Sequence, residues 1–333
     1  MKIKRNTKIM MSICLLAVLV LVLPLMNACK VEGVKKVGIS QIVSHPALDA
    51  TREGCIKALA DNGYVDGENI EIDYQNSEGD MSLVDTISDK FVTDKVDLII
   101  TIATPNTLSA IAAAQGTGIP VVFSAVTDPA GSGMVESWES HPDDNATGVS
   151  DMIAVADDVD LITQIVPGVK TIGTLYNDGE ANSVFLVEKL KEACQPLGIE
   201  VVERPVSTSA DVLTAAQSLV GQVDVIWVGT DNTVVSGLEA LIGVCEDESI
   251  PLFPSDHESI ERGGIACYGF DYYDIGYQTG EMVVKILEGA NAAETPVEKG
   301  KIVSLSVNTA AAERMGITIS QELIDTAEIV YDK

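Results

Sequence analysis

Histidine is scarce in this chain: His45, His141 and His257 are the only three in 333 residues, and no two stand four apart. Cysteine occurs six times without a single Cys-x-x-Cys spacing. A zinc site needs such clustered ligands, so no metal and no cofactor is expected. Basic residues are also few, 21 against 50 acidic ones, for a formal net charge of −29. Nucleic-acid binding requires Lys and Arg clusters against phosphate, and an anionic lipid surface would repel this chain, so both are excluded as charge-driven partners. Gly-x-Ser-x-Gly, P-loop and His-Glu-x-x-His signatures are missing, which argues against an enzyme. Aromatic residues make up only 5% of the sequence, so any that gather at one place are informative.

What is present begins with a segment unlike the rest. Lys2, Lys4, Arg5 and Lys8 precede Ile9 to Leu25, 17 residues that are apolar apart from Ser12 and Pro24. That run is short of the roughly 20 residues a spanning helix needs, and Pro24 closes it. A basic start, a short apolar core and a small-residue exit describe a secretory leader. The exit Leu25-Met26-Asn27-Ala28-Cys29 resembles a bacterial lipobox, although Met26 and Asn27 are atypical. Residues 1–28 are therefore expected to be removed, Cys29 to be lipidated and 29–35 to form a tether. Removing four basic residues leaves 17 against 50 acidic ones, a net charge of −33. Cys55, Cys194, Cys245 and Cys267 fall in apolar patterns and read as small buried side chains.

The body repeats itself. Val37 to Ser40 is strand-like, a helical stretch runs from Ala47 to Asn62, Asn69 to Tyr74 alternates as a strand, and Met81 to Asp94 is helical. Val96 to Ile100, a helix from Thr104 and Ile119 to Phe123 complete the first half. The second half answers with Lys170 to Tyr176, a helix from Asn182 to Pro196, Ile199 to Glu203, Val223 to Trp227 and Ile250-Pro251-Leu252. Gly38 to Gly63 and Gly173 to Gly198 are both 25 residues apart. Strands alternating with helices mean parallel α/β units, and a repeat of roughly 130 residues is too long for a solenoid. The pattern predicts an α/β protein of two similar doubly wound parallel-sheet lobes joined by a hinge. Residues 288–301 read as a surface connector, followed by a last strand from Ile302 and a terminal helix. Asp143-Asp144 and Asp157-Asp158 lack the alternation of a calcium loop and read as solvated acids.

Ligands of parallel sheets bind beyond the carboxyl ends of the strands. The residues standing there are polar but hardly charged: Ser44-His45, Thr104-Pro105, Thr127-Asp128, Tyr176-Asn177, Thr230-Asp231-Asn232, Asp256 and Asp271-Tyr272, with Asn182 and Ser183 opening the helix after Asn177. Trp227 lies within an apolar strand and reads as core.

At these loops the chain is similar to a known family. Ser44-His45-Pro46-Ala47-Leu48-Asp49, Ala103-Thr104-Pro105, Ala125-Val126-Thr127-Asp128-Pro129, Gly148-Val149-Ser150-Asp151, Thr230-Asp231-Asn232-Thr233 and Gly269-Phe270-Asp271-Tyr272-Tyr273 resemble the ABC-transporter substrate-binding proteins that include tryptophan-binding, TrpX-like lipoproteins. The resemblance implies a type I periplasmic-binding fold and an extracytoplasmic, lipid-anchored monomer. It implies capture of an amino acid, often aromatic, for a membrane permease and its ATPase. Family analogy places residues 36–150 in the first lobe, with about 271–300 returning to it, and 151–268 in the second, with 302–333 crossing back. For an amino acid ligand, Ser44, Thr104 and Thr127 are the candidates for the carboxylate, and Asp231 or Asp271 for the ammonium group. Helix capping is the plainer role for Ser44 and Asp231. Tyr176, Tyr272 and Tyr273 are candidates for stacking on an aromatic ligand. A ligand-sensing module of a signalling receptor, built on the same fold, is the alternative.

Overall fold

The computed structural model describes residues 33–139, 145–301 and 303–333. The leader, Cys29, most of the tether, His141, Asp143, Asp144 and Ile302 lie outside the described residues. Among the described residues no helix is long and apolar enough to cross a membrane.

Five strands of the first half, β1 (Lys35–Gln41), β2 (Ile70–Asn76), β3 (Leu98–Ile102), β4 (Val121–Ser124) and β5 (Ala146–Ser150), join with β11 (Glu298–Lys299) in one sheet, in the order β11-β5-β4-β3-β1-β2. The pairings of β1 with β3, β3 with β4, β4 with β5 and β5 with β11 are all parallel. Every residue of β3, β4 and β5 is buried, as expected of parallel strands covered on both faces. Helices α1 (Pro46–Asp61), α2 (Met81–Thr93) and α3 (Thr104–Ala114) connect them.

A second parallel sheet follows, ordered β7-β6-β8-β9 and built from β6 (Thr171–Asn177), β7 (Glu200–Val206), β8 (Val225–Val228) and β9 (Leu252–Pro254). Its helices are α4 (Val155–Ile165), α5 (Ala181–Cys194), α6 (Val212–Leu219), α7 (Asn232–Ser236), α8 (Leu238–Glu248) and α9 (His257–Arg262). A three-stranded sheet, β10 (Ala266–Gly269), β12 (Ser304–Asn308) and β13 (Ile329–Tyr331), adjoins it, with the Ile265 amide donating to the Leu252 carbonyl at 2.8 Å. Between β10 and β11 the chain forms α10 (Tyr272–Leu287), which lies along α1. Two short helices, α11 (Thr309–Arg314) and α12 (Gln321–Thr326), precede β13.

The two halves share physical devices as well as order. Gly63 and Gly198 follow the matching helices with φ of 86° and 66°, a conformation that a Cβ disfavours. Asp97 and Asp224 stand just before β3 and β8. The Asp97 carboxylate accepts the Lys36 amide at 2.8 Å, and Asp224 accepts the Lys170 and Thr171 amides at 2.8 and 2.9 Å. Each acid thereby ties the start of its strand to the start of the neighbouring one. This is why β3 and β8 begin two residues later than hydrophobicity alone suggests: Val96-Asp97 and Val223-Asp224 are spent on the junction.

Three expectations need correction. The connector 288–301 is not merely surface chain, because β11 within it pairs with β5 and the Thr147 hydroxyl donates to the Thr295 carbonyl at 2.8 Å. The terminal segment ends in a strand as well as helices. Asp158 is not solvated: it is buried on α4, where its Oδ2 accepts from Trp227 Nε1 at 3.0 Å and from the Ser255 hydroxyl at 2.7 Å. Burial raises its carboxyl to about 6. Trp227 is itself fully buried, and Cys55, Cys194, Cys245 and Cys267 are buried free thiols.

Candidate functional site

The strand ends of the first sheet and of the second converge on a small cavity. From the first come His45 at the start of α1, Thr104 at the start of α3, Ala125 and Thr127 after β4, and Asp151 after β5. Facing them are Asn182 on α5, Thr230 and Asp231 after β8, Asn232 and Val235 on α7 and Asp256 after β9, while Tyr272 at the start of α10 stands beside Asp151. Ala47 and Leu48 add apolar surface. The Thr127 and Thr230 hydroxyls stand 3.4 Å apart across the gap.

Local backbone geometry aims these groups. Ala103 and Ala125 end adjacent strands with φ of 79° and 54°, strained for residues bearing a Cβ. The Ala103 amide donates to the Ser124 carbonyl at 3.0 Å, which holds the kink and turns Thr104 inward. Thr104 Oγ1 is buried there without a hydrogen-bond partner. His45 occupies the N-cap position of α1, ahead of Pro46, but its side chain caps nothing. Both nitrogens of its ring are buried and unpartnered.

Three acids stand in the lining, Asp231 and Asp256 on one side and Asp151 on the other. Asp231 caps α7 through the Val234 amide at 2.7 Å and accepts the Asn177 amide at 2.6 Å. Burial, with Glu180 adding to the effect, pushes its carboxyl up to about 7. Asp256 caps α9 through the Ser259 amide at 2.7 Å, and burial raises its carboxyl too. Asp151 accepts from the Tyr272 hydroxyl at 2.6 Å and is likewise raised by burial. Asn182 donates to the Thr230 carbonyl at 3.0 Å, which orients its amide and leaves Oδ1 buried and unpartnered. The charge of Arg262 reaches Asp256 and His45; its Nε and Nη2 are engaged by Glu239 and the Val235 carbonyl, while its Nη1 is buried without a partner. Burial, reinforced by Arg262, lowers the His45 ring to about 4, so it is neutral at pH 7.

Nine of the sixteen residues expected at a site line this cavity: His45, Thr104, Thr127, Asn182, Thr230, Asp231, Asn232, Asp256 and Tyr272. The others lie elsewhere. Ser44 is exposed, and its hydroxyl donates to Asp49 at 2.6 Å. Asp271 is an exposed cap of α10, accepting the Tyr273 amide at 2.8 Å. Asp128 closes a turn through the Gly131 amide. The Tyr176 hydroxyl donates to Glu203 at 3.0 Å, and Tyr273 is on the surface. Ser183 lies beneath the cavity beside Trp227. Pro105 and Asn177 border a second, larger cleft, which meets the first at Asn232.

Sequence reasoning passed over Asp151 and Glu180. Asp151 ends a strand run and carried that signal. Glu180 did not, because its role is non-local: it opens α5 without capping it, and reaches instead to Asn232 Nδ2 at 2.5 Å and to the Thr233 amide and hydroxyl at 3.1 and 2.8 Å.

Residues 36–331 match the family described as ABC transporter substrate binding protein. A tyrosine-binding protein of Clostridioides difficile (strain R20291) is 42% identical over 263 residues, spanning 79% of this chain and 75% of that one. Among solved structures, an ABC domain from Streptococcus pneumonia in complex with L-Trp is 36% identical, with a TM-score of 0.85 covering 89% of this chain and 99% of that one. The ligand-free, open structure of a substrate binding protein with adhesive properties from Clostridium difficile is 40% identical, with a TM-score of 0.66 covering 90% and 100%. The fold is that of type I periplasmic binding proteins, and solute-binding proteins of this kind are not enzymes. With its family match running from the first strand to the last, the chain belongs to the ABC transporter substrate-binding protein family.

Proposed function

We propose that this protein captures an aromatic amino acid between two lobes and delivers it, as a lipid-anchored monomer outside the cytoplasm, to the permease and ATPase of an importer. The observation that carries the reading is the make-up of the cavity. It combines several buried carboxylates, unpartnered polar atoms and no lysine or arginine in its lining. Burying acids is costly; Arg262, outside the lining, offsets part of that cost at Asp256, and an ammonium group entering among the acids offsets more. The unpartnered Asn182 Oδ1 is a further acceptor for it. Thr104 Oγ1 at the N-terminus of the eleven-residue α3 offers a donor to the carboxylate, with the helix dipole behind it.

Asp231, Asp256 or Asp151 takes the ammonium role in this reading, and Thr104 and Thr127 the carboxylate role. The lobes are residues 36–150 with 271–300, and 151–268 with 303–333. The membership of β11 in the first sheet, and of β12 and β13 in the sheet beside β9, supports this division. The greater overlap with the L-Trp complex than with the open, ligand-free relative supports a closed arrangement. The tyrosine-binding relative supports the ligand class.

A thermal-shift screen of the mature protein against the twenty amino acids and common nucleosides tests the ligand class. Tyrosine or tryptophan should raise the melting temperature by mass action; a shift with nucleosides alone refutes the reading. Palmitate labelling, lost on Cys29→Ala, tests the anchor.

A further inference from the structure

Resting on the reading of an aromatic amino acid, one polar group of the cavity is left without a task at the ligand's head. Acceptors for the ammonium stand among Asp231, Asp256, Asp151 and Asn182, and the hydroxyl donor for the carboxylate is at Thr104. His45 is the remaining unpartnered group, and it is the one with two such atoms: the neutral ring donates from one nitrogen and accepts at the other.

Its surroundings keep it available. Residue 45 is 8% exposed, so its ring is largely withdrawn from bulk solvent. Asn232 stands beside the ring and favours its charged form, while Asn232 Nδ2 is committed to Glu180 at 2.5 Å, so at most the amide oxygen turns to the imidazole. The loop carrying His45 is clamped from behind. The Ser44 hydroxyl and Gln41 Nε2 both donate to Asp49, at 2.6 and 2.8 Å, and Arg52 bridges Asp49, Gln41 and the Tyr74 hydroxyl. The clamped loop thus presents a buried imidazole with neither nitrogen held in a well-formed hydrogen bond.

We propose that His45 reads the ring substituent of the ligand, so that the cavity selects aromatic amino acids carrying a phenol hydroxyl or an indole N–H over phenylalanine. A site with a buried polar group rejects the analogue that leaves that group unpaired far more strongly than a purely apolar pocket would. The same imidazole, used instead on the ligand's carboxylate, would not distinguish tyrosine from phenylalanine.

Calorimetric titration of the mature protein with L-Tyr, L-Trp and L-Phe decides the matter, for wild type, His45→Gln and His45→Phe. The wild type should bind tyrosine or tryptophan about tenfold or more tighter than phenylalanine. His45→Phe should bring that ratio to within about threefold by weakening the hydrogen-bonding ligand, while His45→Gln keeps most of the preference. The 15N shifts of the His45 ring should move with tyrosine or tryptophan and not with phenylalanine. Equal wild-type affinity for all three overturns the selectivity but leaves the aromatic reading intact. An equal loss for all three in His45→Phe assigns the ring to the head group and also overturns it. Binding of none of the three overturns the aromatic reading and the selectivity with it.

Discussion

The phenol hydroxyl of Tyr272 donates to Asp151 Oδ2 at 2.6 Å, joining the start of α10 to the end of β5 at the wall of the cavity. Asp151 is 3% exposed and Tyr272 equally so, and the Thr127 hydroxyl is Asp151's other side-chain donor, at a long 3.4 Å. Removing the phenol hydroxyl therefore leaves a buried carboxyl short of its best donor. Tyr272→Phe should destabilise the protein by about 1–3 kcal/mol, the range for a buried polar group losing its partner. Asp151→Asn retains an acceptor for the hydroxyl and should cost less. Urea denaturation of both variants checks the order; equal stability of Tyr272→Phe and wild type would count against the bond.

Ligand affinity should depend on pH through Asp231. Its carboxyl is raised to about 7, first by burial and then by Glu180, so in the empty protein at pH 6 it is largely protonated. An ammonium group needs the ionised form, so binding at pH 6 must expel a proton. Affinity should rise between pH 6 and 8, with proton release on binding near pH 7. Titration calorimetry in two buffers of different ionisation enthalpy measures the proton count. Asp231→Asn should flatten the profile and weaken binding.

Why some of this was legible in the sequence, and some not, follows from the range of each interaction. Parallel strands announce themselves because they are buried on both faces, as Leu98 to Ile102 are. Their ends then point to the cavity, and Thr104, Thr127, Thr230 and Asp231 all reach it. Ser44 and Asp271 occupy equivalent positions in the chain yet face outward, each engaged a few residues away, with Asp49 and with the Tyr273 amide. A strand-end position does not reveal which way a loop residue turns. The Glu180 bonds to Asn232 and Thr233 span more than fifty residues and depend on how α5 meets α7. Short β11 carried no pattern because two residues cannot show a period, and its place is set by β5.

Asp158 should make the fold less stable as pH rises through the mildly acidic range. Its carboxyl sits at about 6 in the folded protein, against an unperturbed value of about 3.9, because burial disfavours its charge more than Trp227 and Ser255 favour it. Between roughly pH 4 and 6 the unfolded chain has released this proton while the folded one retains it, so stability falls with rising pH and then levels off. The two-unit gap corresponds to about 3 kcal/mol as an order of magnitude. Asp158→Asn keeps an acceptor for Trp227 Nε1 and should lose this share of the pH dependence. Melting curves at pH 4 and 7 for both proteins test it: an unchanged difference would show that Asp158 is ionised throughout.

The contact of α1 with α10 links the site to a backbone constraint, because α1 begins just after His45 and α10 begins with Tyr272. Small residues let the two helices approach. A Cβ on Gly276 would collide with the Thr51 carbonyl oxygen, one on Gly54 with the Tyr273 carbonyl oxygen, and one on Gly280 would stand 2.6 Å from the Ala58 Cβ. Since the first two neighbours are backbone atoms, no rotamer change relieves them, and the helices must separate. Gly276→Ala should therefore destabilise by about 1–3 kcal/mol, as overpacking does. It should also weaken ligand binding, because His45 and Tyr272 move apart with their helices. Gly243 on α8 provides the contrast. An added Cβ there meets nothing within 4 Å, so Gly243→Ala should stabilise by up to about 1 kcal/mol through helix propensity and leave binding unchanged. Melting temperature and ligand affinity measured on both variants separate the cases. A Gly276→Ala protein that melts and binds like the wild type would show that the helix pair is looser than its glycines imply.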